Sequence, residues 1–307
     1  MNHFARFWNS LWARWALCAL LATGYVCQGV ANSQQLEITH TDIAIENLPA
    51  ALEGLKVVQI TDLHSTLYGP EQQGLLSLVR AELPDVIVLT GDFVDGYQPN
   101  DDNCVALAQG LAAIAPVYRI RGNHEYYPNG ILTEEFDKKM ADAGVRLLEN
   151  SAVELHRNGA PWLLAGLEDV QRLSGDLSRD RLWGAARDQY DFDVEKHFAD
   201  LLQSSMPDGS YGLRVLMSHR PYYWQLWADM GFHVALCGHL HGLQVRVPRL
   251  GGAPLLVNRF FPQADSGLYQ MEDIQVYISR GLAKQGGLRG LRINNRPELT
   301  VLSFLRR

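Results

Sequence analysis

Lys56-Val57-Val58-Gln59-Ile60-Thr61, followed at once by Asp62-Leu63-His64, decides how this chain is read. A short β-branched run that stops at a carboxylate and an imidazole is a buried strand delivering polar side chains to its carboxyl end. The arrangement recurs along the chain. Residues 85–90 (DVIVLT) stop at Gly91-Asp92, and residues 117–121 (VYRIR) at Gly122-Asn123-His124-Glu125. Residues 213–217 stop at Ser218-His219, and residues 234–237 at Gly238-His239-Leu240-His241. Helical periodicity over 75–82, 105–115 and 131–143 separates the early strands, which is the pattern of βαβ units around a largely parallel sheet. In such sheets ligands gather at the carboxyl ends of the strands, where every one of these motifs falls.

Downstream the pattern changes. Short strands are expected at 145–148, 152–156 and 161–166, with turns at Asn150 and Asn158-Gly159. Residues 170–192 are charged and aperiodic, and read as a variable insertion or cap. A helix over 194–205 would place Phe198, Leu201 and Leu202 on one face, and strands at 274–279 and 299–304 complete the reading.

The motif residues form a coherent donor set. Asp62 and His64 are two apart, a spacing that sends both side chains to one face of an extended segment, and His239 and His241 repeat it. Asp92 has two oxygens with which to bridge two ions, Asn123 offers a neutral amide oxygen, and His219 a further imidazole. Carboxylate, amide and imidazole together suit manganese, iron or zinc. Taken singly, each motif is an ordinary turn, cap or solvated loop. Taken in order, each after a strand, they point to a dinuclear metal site for phosphoester hydrolysis.

Over about residues 55–243 this motif series resembles the calcineurin-like metallophosphoesterase superfamily. The resemblance implies an α/β fold, a four-layer αββα sandwich of two mixed β-sheets flanked by helices, here preceded by an N-terminal apolar helix. It implies one divalent ion held by Asp62, His64, Asp92 and His241, and a second by Asp92, Asn123, His219 and His239. His124 would be the catalytic histidine and not a ligand. Asp95 would orient it, from the Gly91-Asp92-Phe93-Val94-Asp95 run; read alone, Asp95-Gly96 is a plain turn. Two ions about 3.5–4 Å apart lower the pKa of a shared water, so that a metal-bridging hydroxide attacks phosphorus, with His124 protonating the leaving oxygen. Manganese is the first expectation, with iron or zinc as alternatives.

Departures narrow the resemblance. Gly96 stands where the superfamily's protein Ser/Thr phosphatases carry arginine. Gly238-His239-Leu240-His241-Gly242-Leu243-Gln244 is close to the Gly-His-x-His-Gly-Gly-Gln run of bacterial membrane-associated phosphodiesterases and UDP-diacylglucosamine pyrophosphatases, with Leu243 in place of one glycine. Ser279-Arg280-Gly281-Leu282 and Asn295-Arg296-Pro297-Glu298 are similar to the same subgroup. A phosphodiesterase or pyrophosphate-bond hydrolase is therefore expected, with a phosphomonoesterase or nucleotidase as the alternative. A non-catalytic scaffold is disfavoured because the ligand set is intact.

The chain has 307 residues, 47% hydrophobic, with net charge −7, so whole-chain basicity gives no reason to expect a nucleic-acid partner. Arg6 and Arg14 precede a run over 15–31 without charge, with Trp8, Trp12, Trp15 and Tyr25 near its ends. Residues 1–31 thus read as a signal peptide cleaved near Ala31 or as a membrane anchor, followed by a catalytic domain over 32–307. An amphipathic helix packed on the domain is the alternative. Either favoured reading puts the domain on the exported, periplasmic side of an inner membrane, as an anchored or secreted protein. Four cysteines, two of them in the leading segment, make no disulfide framework.

Substrate signals are sparse. Arg220 follows a proposed ligand, and Arg280, Arg289, Arg292 and Arg296 form a basic stretch, so Arg220 and Arg280 are candidates for contacting a phosphoester that is lipid- or nucleotide-linked. Tyr222, Tyr223, Trp224 and Trp227 fit core packing in part, or a lipid-facing surface. Oligomeric state is left open.

Overall fold

Alternating apolar side chains divide between the two faces of each strand, and in this chain both faces are covered. The computed structural model describes residues 11–97, 99–126, 131–173, 185–247, 251–254, 264–284 and 292–307. The elements are α1 (Leu11–Asn32), β1 (Glu37–Ile45), β2 (Leu55–Ile60), α2 (Gln73–Glu82), β3 (Val86–Thr90), α3 (Asp101–Ala112), β4 (Val117–Ile120) and α4 (Ile131–Asp142). They continue as β5 (Val145–Leu147), β6 (Ser151–Arg157), β7 (Ala160–Gly166), α5 (Ala185–Ser205), β8 (Arg214–Met217), α6 (Trp224–Asp229) and β9 (Val234–Cys237). The last are β10 (Gln244–Val247), β11 (Gly251–Pro254), β12 (Gly267–Met271), β13 (Ile274–Ile278) and β14 (Glu298–Arg306).

One six-stranded sheet runs β1-β14-β2-β3-β4-β5 and the other β12-β13-β9-β8-β7-β6. Both are mixed: β2, β3, β4 and β5 are parallel while β14 is antiparallel to β2, and β7, β8, β9 and β13 are parallel between antiparallel outer strands. Val57, Val86, Val88 and Leu302 of the first sheet meet Trp162, Leu164, Val215 and Leu236 of the second in the central core. Ile87 and Leu89 turn the other way, against Val79 of α2, Leu107 of α3 and Phe136 of α4. Leu216, Ala235 and Val276 pack outward against Phe198 of α5 and Trp227 of α6. These three cores are the αββα layering that the family resemblance implies. Gln59 ties the inner layers together, donating from Nε2 to Thr90 Oγ1 at 2.9 Å and, across the sandwich, to the Cys237 carbonyl at 3.0 Å.

Several expectations are corrected. Of the segment read as a cap, residues 170–173 form a 3₁₀ turn and α5 already begins at Ala185, while 174–184 lie outside the described residues. The helix was hidden because its buried face, Asp191, Val194, Glu195, Phe198 and Leu202, carries two acids where apolar residues would reveal the periodicity. Strand β1, paired in parallel with β14 over nine residues, was not anticipated, because its buried apolar positions are confined to its carboxyl end. Helix α1 is present, with residues 14–28 exposed and Ala13 and Gly29 buried; Arg6 and Trp8 are outside the described residues. Among the described residues no helix is long and apolar enough to cross a membrane. Cys104 and Cys237 are buried free thiols.

Glu195 makes the buried face of α5 sensitive to pH. Its Oε1 accepts the Trp227 indole N–H at 3.2 Å, and burial pushes its carboxyl from 4.5 up to about 8. Folding therefore takes up a proton between those values, and stability contributed by the protonated form is lost as pH rises through about 8. Glu195→Gln should keep the indole contact and flatten this dependence. Thermal midpoints measured from about pH 5 to 9 should fall more steeply for the wild type; equal slopes would rule out a protonated Glu195.

Candidate metal centre

The carboxyl ends of β2, β3, β4, β8 and β9 bring all five motifs to one place. Ligand atoms of Asp62, His64, Asp92 and His241 lie within 4.8 Å of one another, and so do those of Asp92, His219 and His239. Asp92 belongs to both groups, its Oδ2 standing 3.2 Å from His219 Nε2 and 3.6 Å from His64 Nε2. On the far side of the first group, His241 Nε2 is 3.3 Å from His64 Nε2 and 3.3 Å from Asp62 Oδ1.

The backbone reaches this arrangement by a route that spacing does not reveal. Asp62, His64, Asp92, His239 and His241 all have positive φ, from 46° to 70°. The same-face placement of Asp62 with His64, and of His239 with His241, is achieved by left-handed kinks and not by extended chain. Such residues cost roughly 1–3 kcal/mol each and persist only where their surroundings over-determine them. Those surroundings are visible. Thr61 Oγ1 donates to Asp62 Oδ2 at 2.8 Å, and the His239 N–H donates to the same carboxylate at 3.1 Å. His124 N–H donates to Asp92 Oδ1 at 2.8 Å. At Gly122 a Cβ would sit 2.4 Å from that same oxygen, so glycine is required by close approach.

Glu125 is the largest support that the sequence did not disclose. Its buried carboxylate accepts backbone N–H groups of Asp92 (2.9 Å), Phe93 (2.6 Å) and Gly122 (2.7 Å), clamping the loops after β3 and β4 together. It stands in the quoted Gly122-Asn123-His124-Glu125 run, yet an acid there reads as a solvated side chain until the cradle of amides is seen.

Asp62 and Asp92 are 0% and 1% exposed, and buried carboxylates need compensating cations. Burial raises Asp62 to about 6 against the pull of His219. Burial also opposes ionisation of Asp92, but His219, His124 and His64 outweigh it and hold this carboxyl well below the usual range. His219 is raised to about 10, because the attraction of Asp92 and Asp62 exceeds its burial penalty. Burial drives the other imidazoles down: His64 to about 4, and His239 and His241 well below the ordinary value, with Arg220 and His219 adding to the effect on His239 and His64 and Arg292 adding to it on His241. Three neutral imidazoles thus face two carboxylates with their lone pairs available.

The donor set fits divalent ions. His219 Nδ1 donates to the Thr90 carbonyl at 2.8 Å, which turns Nε2 toward the cluster. His219 Nε2 and Asn123 Oδ1 are both buried without a hydrogen-bond partner, an arrangement that coordination would satisfy.

His124 and Asp95 lie beside the first group: ligand atoms of His64, Asp95 and His124 fall within 4.8 Å of one another. The His124 ring meets His64 edge-on at 4.3 Å, and its Nδ1 accepts the Gly96 N–H at 3.2 Å. Asp95 Oδ1 accepts the Tyr97 N–H at 2.8 Å, with Oδ2 3.8 Å from His64 Nδ1. The two arginine candidates are engaged by carboxylates. Arg220 Nε donates to Asp169 Oδ2 at 2.7 Å, and Arg280 to Glu298 at 3.2 Å and Glu37 at 2.8 Å. Arg289 lies outside the described residues. Arg292 is buried and donates to the Arg280 carbonyl at 2.7 Å, with the same nitrogen 3.3 Å from His241 Nδ1. Of the aromatic run, Trp227 and Tyr223 are core, while Tyr222 sets its ring edge-on to His239 at 6.1 Å.

Comparison with known proteins agrees with this geometry. A family model described as calcineurin-like phosphoesterase matches residues 55–243. The bovine protein named "Transmembrane protein with metallophosphoesterase domain" is 28% identical over 299 residues, covering 94% of this chain and 61% of that one. This chain therefore spans less than two thirds of that relative's length. Phosphodiesterase YaeI of Escherichia coli is 27% identical over 257 residues, covering 81% of this chain and 82% of that one. A phosphopantetheinyl hydrolase structure from Mycobacterium tuberculosis overlays with TM-score 0.45 at 14% identity, covering 74% of this chain and 89% of that one. The motif series, the two-sheet sandwich that gathers it, and the match over residues 55–243 place this chain in the calcineurin-like phosphoesterase family of metal-dependent phosphoester hydrolases.

Proposed function

We propose that this protein hydrolyses a phosphodiester or pyrophosphate bond at a dinuclear centre in which Asp92 bridges the two ions. One observation carries the reading: Asp92 is shared by two groups of carboxylate and imidazole ligands, and both His219 Nε2, which stands beside it, and Asn123 Oδ1 are buried without hydrogen-bond partners. Asp62, His64, Asp92 and His241 would hold one ion, and Asp92, Asn123, His219 and His239 the other. When bound, divalent ions, with manganese the first candidate, supply an acidified water and neutralise charge on phosphoryl oxygens. The phosphodiester preference is supported by the similarity to phosphodiesterase YaeI and by Gly96 in place of an arginine.

The protein groups then have separable tasks. To give a proton from Nε2 to the leaving oxygen, His124 must carry protons on both ring nitrogens, so Nδ1, which accepts the Gly96 N–H in this structure, would instead donate to a carboxylate. Asp95, whose carboxylate lies in one group with the ring nitrogens of His64 and His124, would orient His124. Arg220, held by Asp169, and Arg280, held by Glu298 and Glu37, would offer their remaining guanidinium N–H groups to the phosphoester.

The catalytic domain spans residues 32–307 and works at the exported face of a membrane, to which α1 attaches it. Support comes from Arg14 ahead of an uncharged run, and from a relative whose name describes a transmembrane protein.

Hydrolysis of bis-aryl phosphodiesters and of UDP-linked acyl sugars, set against phosphomonoesters with added manganese, tests the bond preference. Faster turnover of phosphomonoesters would favour a phosphatase or nucleotidase. Asp92→Ala should abolish activity and metal uptake; near-normal metal content by elemental analysis would overturn the bridging role. His124→Ala should keep both ions while turnover drops by about 10²–10⁴. Unchanged rates there would move leaving-group protonation to another residue.

A further inference from the structure

The last turn of α1 is built into the support of the metal centre. Residues 14–28 are exposed, but Gly29 and Ser33 are buried. The Gly29 carbonyl accepts the Asn294 N–H at 3.0 Å and the Ser33 hydroxyl at 2.8 Å. Ser33 Oγ in turn accepts the Asn295 N–H at 3.0 Å. Asn295 is 0% exposed, and its Nδ2 donates to the His241 carbonyl at 2.6 Å. A Cβ on Gly29 would lie 2.5 Å from Ile293 Cγ2, so the helix root and this segment are in direct contact. Higher up the helix, Tyr25 hydroxyl reaches the Arg246 carbonyl at 3.3 Å. His241 has a left-handed backbone, φ 51°, a conformation that needs holding from outside. Four residues thus connect an N-terminal helix to one ligand of one ion.

We infer that Ser33 and Asn295 are positioning residues for His241, and that the helix root through Gly29 remains in the working protein as part of the first ion's support. This inference rests on the dinuclear reading above. It opposes removal of the leading segment near Ala31. A cut there would take away the Gly29 carbonyl, leaving the Asn294 N–H and the buried Ser33 hydroxyl without their acceptor and exposing Ile293. Outer-shell residues of this kind change metal affinity by about 10–100-fold when removed. The effect should be confined to the ion that His241 binds, because His219, His239 and Asn123 have no part in the connection.

The test uses full-length protein, with manganese binding followed by calorimetry and thermal midpoints measured without metal. Wild type should bind two ions. Ser33→Ala and Asn295→Ala should each weaken one ion by about 10–100-fold and spare the other, with Ser33→Thr restoring wild-type binding through its retained hydroxyl. The Ser33→Ala and Asn295→Ala effects should be less than additive, since both act along one chain of hydrogen bonds. Unchanged affinities, or equal weakening of both ions in step with a lowered metal-free midpoint, would overturn the positioning role. A mature protein whose intact mass begins after Ala31 would overturn retention of the root. A wild type that takes up no manganese would overturn the parent reading, and this inference with it.

Discussion

Two carboxylates without access to water, Asp62 and Asp92, impose the constraint around which the rest of the molecule is arranged. Burying them is tolerable only where positive charge or lone-pair donors converge, and both β-sheets are oriented so that their strand ends supply these. Asp92 is central. One of its oxygens is pinned by the His124 amide and the other faces His219 and His64. Its backbone N–H is held by Glu125.

Much of the molecule was legible in the sequence because strands in a covered parallel sheet are continuous apolar runs, and polar residues interrupt them only where the chain leaves the sheet. That is why the strands ending at Ile60, Thr90, Ile120, Met217 and Cys237 could be read together with their chemistry. What escaped were features whose cause lies elsewhere in the chain. Glu125 and Asn295 act through backbone groups far from themselves in sequence, and Glu195 on the buried face of α5 is satisfied by the Trp227 indole. Strand β1 has its hydrogen-bonding partner more than 250 residues away, at β14.

The expectation that Asp62 and His64 share a face held in outcome and failed in cause. Extended chain would place two such side chains about 6–7 Å apart along a strand. The observed left-handed kinks instead draw the ligand atoms of both into a group only 4.8 Å across. The strain is local, and the amides, glycines and Glu125 that oppose it come from separate segments. The site is therefore a property of the assembled sandwich, and an isolated peptide carrying these motifs would not reproduce it.

Strand β14 lies between β1 and β2 in the first sheet, although it follows every other described strand in the sequence. Without residues 298–306, β1 has no hydrogen-bonded neighbour in its sheet and one edge of β2 stays open. Glu298, which accepts the Arg280 amide at 2.8 Å beside the metal centre, arrives in the same final segment. The first sheet can close only once this segment has docked. Closing the sheet and completing the support beside the metal centre are thus a single event.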